Sequence, residues 1–400
     1  MYCFRKVTED LYWVGGSDRR LELFENIFPL SKGVSYNSYL LMDEKTILFD
    51  ATDHAIGRQF LENVKAVLNG RALDYLVVNH MEPDHCAMIE DLVLRYPDMK
   101  IIGNAKTFPM ISQFFDFDLE GKTVTVKEGD TFSCGAHTLH FVMAPMVHWP
   151  EAMMTYDEKD KVLFSADAFG TFGALNGNIF NDEVDFDREW LDEARRYYTN
   201  IVGKYGMQVQ NVLKKAAGLD IQVICPLHGP VWRTDLDYII GKYDTWSKYE
   251  PEEKGVMIAY ASMYGNTENM AEIFAASLAE AGVKNIRMHN ISKTHVSELI
   301  SDSFKYSHIV LAAPTYNNGI YPLMDNYLED MKALALSNRT AAVLGNGTWA
   351  PQSTKLISAK ISEMKNMRLL ETSVTIKSAV KDSQMEEIGS LARQIAEEVL

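Results

Sequence analysis

The stretch Leu73-Asp74-Tyr75-Leu76-Val77-Val78-Asn79-His80-Met81-Glu82-Pro83-Asp84-His85 decides the fold. Its first seven residues form an apolar run that reads as a buried strand. His80, Glu82, Asp84 and His85 then fall within six residues, on the loop leaving the strand's carboxyl end. Gathering two imidazoles and two carboxylates brings no folding benefit, because such groups are costly to desolvate without partners. A metal ion offsets that cost. The donor set is also harder than the thiolate and imidazole sets of structural zinc.

Short β-like segments precede this loop at residues 11–14, 36–42 and 45–50. An amphipathic helix is expected over 56–68, stopped by Asn69-Gly70. A helix over 88–95 and a strand over 99–103 follow the loop. Residues 123–126 and 138–143 alternate with period two, as half-buried antiparallel strands do. Strands, a helix and then more strands predict an α/β fold, an αββα sandwich rather than a single doubly wound sheet. The charged stretch at 246–255, with its Pro and Gly, marks a boundary between domains over 1–250 and 251–400. Beyond it, strands at 256–260, 286–288, 308–313, 340–344 and 371–376 alternate with helices, the last starting near Ser383. That pattern fits a flavodoxin-like, doubly wound parallel sheet.

Composition narrows the partners. The 39 basic and 55 acidic residues leave a net charge of -16. No Lys/Arg cluster offers a stripe for phosphates, so nucleic acid is not an expected partner. Residues 1–6 lack the apolar core of a signal peptide, and no apolar run is long enough to span a bilayer. A cytoplasmic protein with no membrane partner is expected. Cys3, Cys86, Cys134 and Cys225 are scattered without a Cys-x-x-Cys pair. That pattern excludes a thiolate-bound iron–sulfur cluster on this chain.

Three further ligand types also stand at strand ends. His148 follows the run 141–147, Asp167 follows 162–166, and His228 follows 221–227. Strand ends gathered at one sheet edge bring together seven candidate metal and catalytic residues: His80, Glu82, Asp84, His85, His148, Asp167 and His228. Seven ligands exceed one tetrahedral ion. With one carboxylate shared they make two four-ligand sets with open positions, the arrangement of a two-metal site. His54, His137, His140, His289, His295 and His308 lack such a context and read as surface or packing residues.

On these residues the chain resembles a known family. The pattern His80-x-Glu82-x-Asp84-His85, then His148, Asp167 and His228, resembles the diiron site of the flavodiiron proteins, carried on a metallo-β-lactamase-like domain. The resemblance implies one iron held by His80, Glu82 and His148, a second by Asp84, His85 and His228, and Asp167 bridging. Related zinc hydrolases carry histidine where Glu82 stands. A carboxylate there adds charge and hardness and favours iron or manganese. His148-Trp149-Pro150 and Asp167-Ala168-Phe169-Gly170 resemble the family's pocket-lining segments. Tyr197 and Tyr198, on a helix expected over 188–201, are candidates either to offer a hydroxyl to a metal-bound ligand or to pack in the helix. Many family members have a histidine behind the site where this chain has Phe24-Glu25-Asn26, so no proton donor is carried over there.

In the second domain, Ser262, Met263, Tyr264, Gly265, Asn266 and Thr267 lie between the first strand and a helix. Small hydroxyl residues, a glycine and an amide at a helix N-terminus make an anion cradle. The loop is neither a G-x-G-x-x-G turn nor a P-loop. It resembles the flavodoxin phosphate loop, with Tyr264 in place of its second hydroxyl residue. Pro314, Thr315, Tyr316, Asn317, Asn318 and Gly319 follow the third strand. Gly345, Asn346, Gly347, Thr348 and Trp349 follow the fourth. Both loops join glycines, which allow close backbone approach, to an aromatic that can stack on a flat ring. Three loops in this order imply FMN.

A flavin beside a diiron centre implies reduction rather than hydrolysis. The resemblance implies an oxidoreductase that reduces dioxygen to water, nitric oxide to nitrous oxide, or both, in oxygen and nitrosative-stress detoxification. It also implies a head-to-tail homodimer, alone or as a dimer of dimers, with the FMN of one subunit serving the diiron site of the other. No rubredoxin or flavin reductase module follows Leu400, so the two-domain class with an external donor is expected. Rubredoxin is the first candidate donor and a reduced deazaflavin the second. Two rivals remain open. A dinuclear zinc hydrolase fused to a flavodoxin electron-transfer domain is opposed by Glu82. A plain electron carrier with a vestigial first domain is opposed by the intact ligand set.

Overall fold

Residues 2–400 are described by the structure, a computed structural model. They divide into two units, one ending at Asp244 and one beginning at Thr245. In the first unit Leu40, Leu48, Leu76 and Ile101 are fully buried on the face of a seven-stranded sheet. They pack on Phe60 and Val64 of the helix Gly57–Leu68 and on Ile89 and Leu92 of the helix Ile89–Arg95. The neighbouring side chains point the other way, as strand alternation requires. Phe49 stacks on Phe164 of a second, five-stranded sheet, with centroids 3.7 Å apart and planes 8° from parallel. Tyr39 meets the same ring edge-on at 5.7 Å. Two sheets thus share a core beneath outer helices, the expected αββα sandwich.

Strand direction places the site. Tyr75–Val77 runs parallel to Thr46–Phe49 and to Lys100–Gly103, so their carboxyl ends share one edge. Val162–Phe164 runs parallel to Val223–Cys225 in the second sheet and does the same there. The helix Gly57–Leu68 stops where expected, at Asn69 in the left-handed conformation (φ 47°).

Three sequence expectations in the first unit need correction. The segment 36–42 is two strands, Val34–Tyr36 and Tyr39–Met42. Asn37 turns the chain between them: its Nδ2 donates to the Pro226 and Gly229 carbonyls, both at 2.9 Å, and its Oδ1 accepts from the Trp13 indole. Thr123–Thr125 pairs in parallel with Lys100–Gly103 at the sheet edge, not antiparallel. Its alternation reports one face in water, which any edge strand has whatever its direction. The helix over 188–201 is interrupted: Phe186–Glu189 and Leu191–Tyr197 break at Trp190, whose φ of -126° is not helical, and Tyr198–Val202 is a π-turn.

The second unit has strand order Ile286–Asn290, Glu253–Tyr260, Tyr306–Pro314, Thr340–Asn346, all parallel. Arg368–Leu369 and Val374–Ile376 both pair beyond Thr340–Asn346; the strand expected over 371–376 forms only at Val374–Ile376, and Arg368–Leu369 was not expected. The order 2-1-3-4-5 is that of the flavodoxin-like doubly wound sheet, whose ligands bind at the carboxyl ends of the strands. Among the described residues no helix is long and apolar enough to cross a membrane.

Candidate functional site

The seven ligand types converge in two groups. In the first, His148 Nε2 lies 2.9 Å from Glu82 Oε2 and 3.0 Å from Asp167 Oδ2. His80 Nε2 is 3.3 Å from each of the same two oxygens. In the second, His85 Nε2 is 3.1 Å from His228 Nε2, and Asp84 Oδ2 lies 3.4 and 3.3 Å from those nitrogens. Asp167 faces both groups: its Oδ1 is 3.1 Å from His85 Nε2 and 3.7 Å from His228 Nε2. The ligand atoms of each group lie within 4.8 Å of one another.

Ions of metal size fit these groups on the chemistry of the donors. Asp84 Oδ1 and Oδ2 and Asp167 Oδ1 are buried with no hydrogen-bond partner, as carboxylates aimed at a cation would be. The histidines are tied from behind. His80 Nδ1–H donates to Glu151 Oε1 at 2.9 Å, and His228 Nδ1–H to the Ser35 carbonyl at 2.7 Å. Each bond fixes the tautomer that turns an Nε2 lone pair inward, as metal-ligating histidines require. Electrostatics agrees. Burial opposes charging His80, yet the Asp167, Glu151 and Glu82 carboxylates outweigh it and hold its pKa well above the ordinary value. In the same way burial disfavours charged His148, but Asp167 and Glu82 raise its pKa to about 9. Burial likewise opposes the charge on Asp167, and the surrounding imidazoles still drive its pKa far down. The cluster is built to hold positive charge.

The backbone that presents these groups is itself anchored. Asp50, at the end of Thr46–Phe49, accepts from the Asn79 and His80 backbone N–H groups at 2.7 and 3.1 Å and from Asn79 Nδ2 at 2.8 Å. Burial pushes its pKa up to about 6 against those bonds. Asn79 also accepts from Thr155 Oγ1 at 2.7 Å and from the Met153 N–H at 3.0 Å, joining the loop to the second sheet. Asp167 stands between Ala166 (φ 50°) and Phe169 (φ 68°), left-handed residues of the kind that cluster at functional sites.

Around the ligands the aromatic candidates separate. The Tyr197 ring lies 5.4 Å from His228, and its hydroxyl is buried with no partner. Burial, then the Asp167 and Glu82 carboxylates, raise its pKa. Tyr198 packs instead on Tyr243, centroids 4.9 Å apart. Trp149 meets His80 edge-on at 5.5 Å. Phe24-Glu25-Asn26 form a tight hairpin tip, Glu25 and Asn26 both with positive φ (49° and 56°). Glu25 is exposed as a residue, yet its carboxyl lies close enough to Glu82 to feel its charge. Burial of that carboxyl and the Glu82 contact push its pKa up to about 8. The position that lacks a histidine therefore still puts a titratable group against the ligands.

Sequence reasoning missed Asp50, Glu151 and the Glu25 contact. Glu151 alone had a local signal, lying three residues beyond His148. The remaining histidines are occupied elsewhere. The most cluster-like, His137 with Asp157 and Asp160, spends Nδ1 on Asp157 at 2.8 Å and has Lys159 Nζ 3.0 Å from its Nε2, a cation already in place beside the ring.

In the second unit a cavity of about 600 Å³ opens at the strand ends. All three expected loops line it, through Ser262 to Tyr264, Asn266 and Thr267, through 314–318, and through 346–349. Gly265, Gly319 and Gly345 do not. Gly345 instead abuts Thr354 and Ser353 of the helix Ser353–Ser362, so its missing side chain serves helix packing. Gly265 holds φ 88° with open space where a Cβ would stand, at the N-terminus of the helix Asn266–Glu280, which no side chain caps. Free first-turn N–H groups beside that opening suit a phosphate. Tyr264 and Trp349 stand at the cavity 92% and 88% exposed.

Comparison with known proteins agrees with this geometry. Residues 34–229 match the family model described as ODP family beta lactamase, and residues 258–389 match that of flavodoxin. The anaerobic nitric oxide reductase flavorubredoxin of Klebsiella pneumoniae subsp. pneumoniae is 32% identical over 89% of this chain and 74% of its own. An uncharacterized protein of Methanocaldococcus jannaschii is 28% identical over 98% of each. Among solved structures, rubredoxin oxygen:oxidoreductase from the anaerobe Desulfovibrio gigas superposes with a TM-score of 0.92, at 29% identity over 99% of this chain and 98% of that one.

Proposed function

The chain belongs to the flavodiiron family, and from that premise we propose how its residues divide the work. It is an oxidoreductase with FMN and a non-haem diiron centre that reduces dioxygen to water, nitric oxide to nitrous oxide, or both. His80, Glu82 and His148 would hold one ion and Asp84, His85 and His228 the other, with Asp167 shared between the two groups. The observation that carries this assignment is the division of Asp167: Oδ2 faces the first group and Oδ1 the second. When bound, FMN would supply uptake of donor electrons and the iron pair would supply their delivery to the gas, four for dioxygen and two for a pair of nitric oxide molecules.

The chain's own groups position and protect. Glu151 and the Ser35 carbonyl lock two imidazoles, and Asp50 locks the loop that carries four ligands. Tyr197 keeps its proton, because burial and the facing carboxylates oppose ionisation; its Oη is a hydrogen-bond donor toward the centre. Phe24 and Trp149, edge-on to His228 and His80 at 5.5 Å each, keep water from those rings. Glu82 favours iron over zinc by adding a hard anion.

Electrons come from an external rubredoxin-like donor in the cytoplasm. The working form is a head-to-tail homodimer, supported by two large aromatic side chains left almost fully exposed at the flavin cavity. Anaerobically purified protein is expected to carry about two iron ions per chain and to consume gas once photoreduced. Zinc without iron would overturn the diiron reading in favour of hydrolysis. An electrode comparison of the two gases, with a rubredoxin as donor, measures the preference between them.

A further inference from the structure

Ser378, in the turn after the strand Val374–Ile376, lines the flavin cavity although it belongs to none of the three expected loops. Its φ of 68° is uncommon for a residue with a side chain. Asn346 keeps it there. Asn346 Oδ1 accepts from the Ser378 N–H at 3.0 Å, and its Nδ2 donates to the Ser378 carbonyl at 2.9 Å. The same Nδ2 donates to Thr267 Oγ1 in the phosphate loop at 3.2 Å. Both amide hydrogens and the amide oxygen are thereby engaged within the protein, in a residue only 6% exposed. Thr315 is engaged in the same way: its Oγ1 accepts from the Gln352 and Ser353 N–H groups at 2.8 and 3.0 Å. Asn346 therefore shapes the wall with no amide hydrogen left for a ligand, while Thr315 retains only its hydroxyl proton.

The hydroxyl pair beside them offers both a donor and an acceptor. Ser378 Oγ donates to Thr348 Oγ1 at 3.0 Å, which leaves the Thr348 hydroxyl proton and the Ser378 lone pairs free at the cavity wall. We propose that the turn holding Ser378 is a fourth wall of the FMN pocket, that the Ser378–Thr348 hydroxyl pair contacts the flavin, and that Asn346 is the positioning residue tying this wall to the phosphate loop. The inference rests on FMN being the cofactor. A wall held in place before the cofactor arrives lowers the ordering cost of binding, so loosening it shows in affinity.

The test titrates FMN into the full-length apoprotein, following loss of flavin fluorescence, and measures the midpoint potential of the bound flavin. A parent protein that binds no FMN overturns the cofactor reading itself. With a binding parent, Ser378→Ala and Ser378→Gly are each expected to weaken FMN about 3- to 10-fold, as one lost hydrogen bond does, and to shift the potential. Ser378→Gly also keeps the left-handed backbone without strain, so equal losses in the two isolate the hydroxyl. Asn346→Ala is expected to weaken FMN about tenfold or more. Adding Ser378→Ala to it should then cost little further, because both act through one wall. Ser378 variants within about twofold of the parent at an unchanged potential overturn the contact. Fully additive losses overturn the positioning role. If Asn346→Ala does not fold, Asn346→Ser, which keeps one acceptor, takes its place in the same cycle.

Discussion

Glu151 Oε1 accepts from His80 Nδ1–H at 2.9 Å and from the Met81 N–H at 2.8 Å, so one oxygen sets both a ligand's tautomer and the path of its loop. Removing it frees the ring to turn and deletes a buried charge that favours a cation. Glu151→Ala is expected to lower metal affinity about 10- to 100-fold, read as iron lost to a chelator while FMN content stays constant. Unchanged iron retention would show that the carboxylate only packs. Glu82 makes a different claim, about which metal rather than how tightly. Glu82→His exchanges a hard anion for a neutral imidazole, and protein from cells supplied with both metals should shift its content from iron toward zinc. A variant that still purifies with iron alone removes Glu82 from the choice of metal.

Elements carry the less visible half of the site. The convergence of the seven candidate residues was legible because each follows an apolar run, and parallel strands deliver such ends to one edge. Their supports were not. Asp50 ends an earlier strand and acts on Asn79 across the sheet, and Ser35 reaches His228 through a carbonyl, which no side-chain pattern records. The break at Trp190 and the π-turn after it, which set Tyr197 and Tyr198 on different neighbours, depend on packing rather than on period. His137 shows the same for a residue read as packing. It joins the turn at 134–137 to the strand Met153–Asp157 and to the N-terminal segment: Nδ1 is 2.8 Å from Asp157 Oδ2 and Nε2 3.2 Å from Asp10 Oδ2. Asp43 accepts from its backbone N–H. Burial and nearby Lys159 oppose its charge, but Asp157 and Asp10 prevail and raise its pKa. A folded value above the unfolded one means that protonation stabilises the fold. That contribution is complete below the ordinary value of 6.5 and is lost as pH rises through the raised one. Thermal melts of the parent and His137→Gln from about pH 5 to about pH 9 should show the parent's advantage shrinking toward high pH. A difference independent of pH would mean that His137 folds neutral.

At the scale of the whole molecule, the electron source and the gas site lie in separately packed units, and Tyr264 and Trp349 leave the flavin cavity ringed by uncovered aromatic surface. The proposed two-fold head-to-tail dimer would account for both facts, with each chain lending its flavin to the other's metal centre. Two variants separate this from transfer within one chain. Asp167→Ala removes the carboxylate that faces both groups and leaves the flavin pocket intact. Gly265→Val forces a β-branched residue into φ 88° at the phosphate loop and spares the metal centre. Each homodimer alone should be inactive under either scheme. Coexpressed in equal amounts they form mixed dimers in about half of the population, and each mixed dimer keeps one flavin facing one intact centre. Transfer between chains therefore predicts about a quarter of parental gas consumption per chain, whereas transfer within a chain predicts none, because no single chain retains both sites. Sizing at low concentration checks that dimers persist during the assay. Recovery near one quarter, falling as dilution releases monomers, is the expected result, and its absence in a mixture shown to contain mixed dimers would return both steps to a single chain.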